Sequence, residues 1–272
     1  GRAPHPEAMT LRLQSRPSLI AYVTCGDPDL ATTRDIVFSA INAGADVIEL
    51  GVPFSDPVAD GPVIQRASQR ALENGTRLAD VLDLARDIRN QSDAGLIIFS
   101  YFNPVLRFGL QRFAEAAQAA GVDGALITDL TVEEAGDYLD AMRGHNLATV
   151  FLAAPTSTDQ RLRVIAQAST GFIYAVSRTG VTGQQQQLAA DARQLVTRLR
   201  KFTKLPIAVG FGISNAEQFR AVGEFADAVV VGSAIVQTIE SAGKARAAQS
   251  VAELIAALGK RPAAVHAQPS AS

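Results

Sequence analysis

The chain has 272 residues, 47% of them hydrophobic and 19% charged, with 25 Lys and Arg against 27 Asp and Glu. That composition excludes a disordered chain, and a net charge of −2 without any basic cluster excludes a surface built for nucleic acid or anionic lipid. The lone cysteine, Cys25, excludes an internal disulfide and a cysteine-built zinc or redox centre, and fits a reducing, cytoplasmic setting.

No apolar run approaches the roughly 20 residues that cross a bilayer. "GRAPHPEA", ahead of Met9, has no signal-peptide core. Residues 1–17 are expected to be a flexible or short N-terminal segment, 18–260 one domain, and 261–272 a loose polar tail. Within that domain, short β-branched runs recur at 19–25, 47–52, 95–101, 124–130, 148–154, 172–177, 206–212 and 228–233. Apolar residues at helical spacing lie between them, as in Thr33, Ile36, Val37, Ala40 and Ile41. Asp27 before Pro28 reads as a helix N-cap, and Gly44 and Gly121 as helix ends. "GADVIEL", "GVDGALI" and "FADAVVV" form an internal echo in which an Asp precedes a strand.

Eight strand–helix units with near-continuous apolar strands predict a closed (β/α)₈ TIM barrel, in preference to an open doubly wound sheet. After the second strand, residues 53–76 are too long for an ordinary βα loop. "GPVIQRASQRALENG" there predicts an extra helix.

In such a barrel the site lies at the C-terminal strand ends. "IELGVPFSDPVADGPVIQRA" (48–67) places Glu49 in the second strand, with Asp56 and Asp60 in the proline-stiffened loop beyond it. Alternation puts Glu49 on one face with Val47 and Gly51, and Ile48 and Leu50 on the other. If the latter face the helices, Glu49 points into the mouth, where desolvation raises its pKa towards acid/base range. Asp60 is a second acid in a wetter setting, and two carboxyls with separated pKa values make an acid/base pair. Asp56 reads as a turn former or a contact residue, and Asp129 as a loop anchor or part of the site.

Gly-rich turns follow three successive strands: "RTGVTG" (178–183), "GFG" (210–212) and "VGS" (231–233). Together they predict a nest of backbone N–H groups for a phosphate. The segment from Arg178 through Thr182 to the glutamine run reads as a closing lid. Tyr22, Phe99, Tyr101, Leu126, Leu152, Tyr174 and Phe211 are candidate walls of a flat apolar pocket. His5, His145 and His266 fall in tails or a helix end, so neither catalysis nor a metal site is assigned to them.

With these residues in place, the chain resembles the tryptophan synthase alpha subunit family over roughly 18–258, through "AYVTCGDPD", "IELGVPFSDPVADGPVIQRA", "YFNPV", "GVDGALITDL", "SRTGVTG", "GFGIS" and "VVVGSAIV". The resemblance implies a lyase that splits indole-3-glycerol phosphate into indole and glyceraldehyde 3-phosphate. No cofactor is expected in this chain. Glu49 would transfer protons, and Asp60 would meet the indole nitrogen. Gly183, Gly212, Gly232 and Ser233 would hold the phosphate, and Thr182 would ride on the lid. It also implies a beta subunit, carrying pyridoxal phosphate, in an alpha2beta2 heterotetramer. Asp56, Asn103 and Pro104 would face that partner. The sequence departs from the family in its short "MTLRLQSRPS" lead, which bears on the barrel-bottom plug, and in Thr128 and Thr131.

Three other readings compete: a stand-alone lyase of the same chemistry, a sugar-phosphate isomerase or epimerase, and a non-catalytic subunit that binds a phosphorylated ligand.

Overall fold

The computed structural model describes residues 13, 17–176 and 185–259. Eight parallel strands close on themselves in sequence order: β1 (Ser18–Thr24), β2 (Val47–Gly51), β3 (Gly95–Ser100), β4 (Gly124–Ile127), β5 (Ala148–Ala153), β6 (Ile173–Val176), β7 (Ile207–Gly210) and β8 (Ala228–Val231). The predicted (β/α)₈ barrel is therefore the observed fold. Apart from Leu13 and Pro17, the two terminal segments lie outside the described residues.

Side-chain alternation sorts the barrel into layers. Ile48, Leu50, Ile98, Phe151, Val209 and Val229 point outward into the apolar shell between sheet and helices. Ile20, Val47, Ile97, Leu126, Val150, Phe172, Ala208 and Ala228 fill the interior, with Leu13 packed against them. The short lead before the first strand thus supplies at least one apolar side chain to the barrel interior. Two residues further along each strand comes the next inward layer: Tyr22, Glu49, Phe99, Thr128, Leu152, Tyr174, Gly210 and Val230. This layer borders the mouth.

The internal echo has a physical basis. Asp46, Asp123 and Asp227 each sit just before a strand, and each carboxylate accepts the backbone N–H of a residue at the start of the preceding strand, Leu19, Leu96 or Ile207, at 2.8 Å. The same three residues donate their own N–H to the carbonyls of those partners. Each Asp therefore pins the register of one neighbouring strand pair at the barrel's bottom edge.

Helix α1 (Leu30–Asn42) is capped by Asp29, whose Oδ1 accepts the Thr32 N–H at 2.8 Å, rather than by the expected Asp27. Asp29 directly precedes the first helical residue, the position from which a side chain reaches the free amides of the first turn. Gly44 and Gly121 end their helices in the left-handed region, as expected. The inserted segment after β2 forms α2 (Pro62–Glu73), followed by α3 (Leu78–Arg89). An unexpected α4 (Phe102–Phe108) precedes α5 (Leu110–Ala119) after β3. Next in chain order come α6 (Gly136–Gly144), α7 (Asp159–Ala168), α8 (Gln185–Leu199) and α9 (Ala216–Gly223). β8 leads into α10 (Ser233–Ala242) and α11 (Ala247–Gly259), the latter packed against α1. Among the described residues, no helix is long and apolar enough to cross a membrane.

Candidate active site

A cavity of about 420 Å³ opens at the C-terminal mouth of the barrel. Strand β2 delivers Glu49 to its floor, 1% exposed, with both carboxyl oxygens buried and, among the described residues, without a hydrogen-bond partner. An isolated carboxylate in such a place is costly, so the group favours its neutral form, and burial pushes its pKa up to about 8. Gly51, two residues on, has no side chain because the Tyr22 ring occupies the space a Cβ would need.

Asp60 reaches the same cavity from the loop after β2. Its Oδ2 accepts the Tyr101 O–H at 3.0 Å, and the Tyr101 oxygen in turn accepts the Ala59 N–H at 2.9 Å. Tyr101 is itself stacked on Phe54, with ring centroids 5.0 Å apart. One phenol thus ties the loop at three points and orients the acid.

Gly212 and the Gly232–Ser233 start of α10 line the same cavity as the acids. Gly212 has φ +81°, a left-handed conformation that suits glycine. The first amides of α10 have no intrahelical acceptor and carry the positive end of the helix dipole, which suits an anion.

Of the candidate apolar walls, Tyr22, Phe99, Leu152, Tyr174 and Phe211 line the cavity. Leu126 and Tyr101 do not. Leu126 belongs to the interior layer one step below, and its place at the mouth is taken by Thr128, two residues later. Tyr101 is turned towards Asp60 and Phe54 instead. Ala59, Gly61, Ile64, Val176, Leu188 and Gly210 also line the site. For Gly210 and Val230 the period-two step from Ala208 and Ala228 was the available signal; Leu188, on α8, had none.

Asp129 is the loop anchor of the two alternatives, its Oδ1 accepting the Phe102 N–H at the start of α4 at 2.6 Å. Asp56 and Asn103 are exposed, and Pro104 is partly so. Arg178, Thr182 and Gly183 lie outside the described residues. Among the described residues, no group of three or more His, Cys, Asp or Glu is placed to hold a metal ion.

Fold and site together define a (β/α)₈ barrel with a ligand cavity at its C-terminal mouth. A family model described as tryptophan synthase alpha chain matches residues 9–266. Among curated proteins, the tryptophan synthase alpha chain of Solibacter usitatus is 55% identical over 85% of this chain and 86% of its own. That of Laribacter hongkongensis is 49% identical over 86% and 89%. Among solved structures, the tryptophan synthase complex from Pyrococcus furiosus superposes with a TM-score of 0.81 at 38% identity, covering 89% of this chain and 98% of that one. The alpha subunit from Legionella pneumophila gives a TM-score of 0.82 at 35% identity, covering 89% and 91%. The chain belongs to the tryptophan synthase alpha chain family, and a lyase role follows from that membership.

Proposed function

We propose that the chain cleaves indole-3-glycerol phosphate into indole and glyceraldehyde 3-phosphate by a retro-aldol reaction run by its own carboxyl groups. The observation that carries this reading is the buried, unpartnered Glu49 carboxyl opening on a cavity it shares with Asp60.

Neutral Glu49 protonates C3 of the indole, and positive charge develops on the ring nitrogen. The Asp60 carboxylate, oriented by Tyr101, meets that N–H and stabilises the charge. Glu49, now anionic, takes the proton of the side-chain hydroxyl next to the ring. The carbon–carbon bond breaks, the oxygen becomes an aldehyde carbonyl, and the electron pair returns to the ring. Glu49 ends as it began, which requires a pKa near the working pH, and burial supplies that. Gly212, Gly232 and Ser233 hold the phosphate, while Tyr22, Phe99 and Leu152 enclose the ring.

The ring itself accepts the electrons, so no cofactor is needed in this chain. Pyridoxal phosphate belongs in a beta subunit that takes up the indole, in an alpha2beta2 assembly. Exposed Asp56 and Asn103, with Val58 at 81% exposure beside Asp56, fit a partner-facing rim.

The test is release of indole from indole-3-glycerol phosphate with and without a beta subunit. Glu49→Gln is expected to lower turnover by at least about a thousandfold while the substrate still binds, and Asp60→Asn to lose most of the rate. Near-normal turnover in either variant removes that residue from the scheme. A wild-type rate indifferent to the beta subunit favours a stand-alone lyase.

A further inference from the structure

At the floor of the cavity, one carboxyl has no hydrogen-bond partner among the described residues, and the phenol beside it holds a single bond. Glu49 contributes a carboxyl with no partner at either oxygen. Beside it, in direct register on β1, stands Tyr22. Its hydroxyl pairs with the Thr24 hydroxyl at 3.3 Å, and these two residues are 4% and 2% exposed. Each hydroxyl brings one proton, yet the pair shares a single hydrogen bond. When Thr24 donates, the phenol's own O–H has no acceptor among the described residues and borders the cavity, where a ligand can supply one.

The ligand group that meets both must accept from the phenol O–H and donate to a carboxyl oxygen of Glu49. A hydroxyl does both. The phenol is well held for this: its ring packs edge-on against Phe99 at 5.0 Å, fills the space left by Gly51, and passes close to Gly232 in the anion cradle. Tyr22 lines the same cavity as the apolar wall and that cradle. Burial first, and then the negative field of Asp60, hold the phenol well above its usual pKa, so it stays a donor throughout.

Resting on the reaction proposed above, we infer that Tyr22, steadied by Thr24, donates a hydrogen bond to the substrate hydroxyl that Glu49 deprotonates. As that proton leaves for Glu49 and the carbon–carbon bond breaks, the oxygen passes through partial negative charge on its way to the aldehyde carbonyl. A donor fixed on it stabilises that stage more than the ground state. Tyr22 is thus a catalytic residue and a selector for ligands hydroxylated next to the ring.

Tyr22→Phe deletes only the hydroxyl and leaves the ring against Phe99 and Gly51. With the beta subunit present, kcat for indole release is expected to fall about tenfold or more, with KM changed less than about threefold. Affinity for an indolylpropyl phosphate lacking the side-chain hydroxyls is expected to be unaltered. Thr24→Val, which frees the phenol from its buttress, is expected to give a smaller loss of kcat. Unchanged kcat in Tyr22→Phe, or equal weakening of the hydroxylated and unhydroxylated ligands, overturns the inference. Failure of the wild-type chain to release indole would instead overturn the reaction itself.

Discussion

A carboxyl that is nearly free of water and has no partner has two measurable consequences at Glu49. The first is kinetic. Since the proposed reaction begins with the neutral form, kcat/KM is expected to hold up to neutral pH and to fall as pH rises through about 8. A profile that has already fallen by about pH 5 as pH rises would place Glu49 as an ordinary exposed acid. The second is thermodynamic. The folded-state pKa lies above the unfolded value, so the contribution of this group to stability is complete below about 4.5 and is lost as pH rises towards 8. Glu49→Gln removes the titration, and is expected to raise the thermal midpoint by roughly 5 °C or more at pH 8 with little gain near pH 4.5. Calorimetry across that range measures it. Glu49 could be read from the chain because alternation along one strand sets its direction. The absence of any partner could not, since it depends on what Tyr22, Phe99 and the loop place around it.

At the level of elements, α2 stands out, because it follows Asp60 directly and is clamped at its far end. Arg70 makes two bonds to Asp27, at 2.8 and 2.9 Å, and a third to Glu240 on α10, which also holds Arg66. The helix that follows the loop acid is thereby locked to the helix that begins the anion cradle. Asp27 is 2% exposed, so Arg70→Ala would strand a buried carboxylate and is expected to destabilise the fold by about 2–3 kcal/mol. Arg66→Ala removes a half-exposed, solvent-screened ion pair and is expected to lower the denaturant midpoint far less than the Arg70 change. Equal denaturant midpoints for the two variants would contradict the clamp. The extra helix itself was legible from loop length and an amphipathic run. Helix α4 was not, since Pro104 reads as a breaker. Placed as the third helical residue, however, it gives up only an N–H that would have no partner in the first turn.

Across the whole molecule, the barrel brings the ends of every strand to one rim, so residues from Tyr22 to Ser233 meet although most of the chain separates them. The same rim carries the exposed segment around Asp56 and Val58. If that segment faces a beta subunit, Val58→Glu is expected to weaken the association at least about tenfold without shifting the thermal midpoint of the isolated chain. Titration calorimetry or sedimentation would register the loss, and an unaltered affinity would move the interface elsewhere.

Some of this was settled by local chemistry and would hold in any chain with the same pattern. Strand and helix periods, glycine at the helix ends, and a carboxyl facing inward on β2 all follow from neighbours close in sequence, whose geometry is set by the backbone. Other features belonged to tertiary structure alone: Tyr101 holding Asp60 rather than lining the pocket, Thr128 replacing Leu126 on the wall, and Leu188 reaching in from α8. These depend on where each strand stops within the closed barrel and on which side chains are brought together across it. No short stretch of sequence carries that information, because layer and contact are decided by packing between segments far apart in the chain.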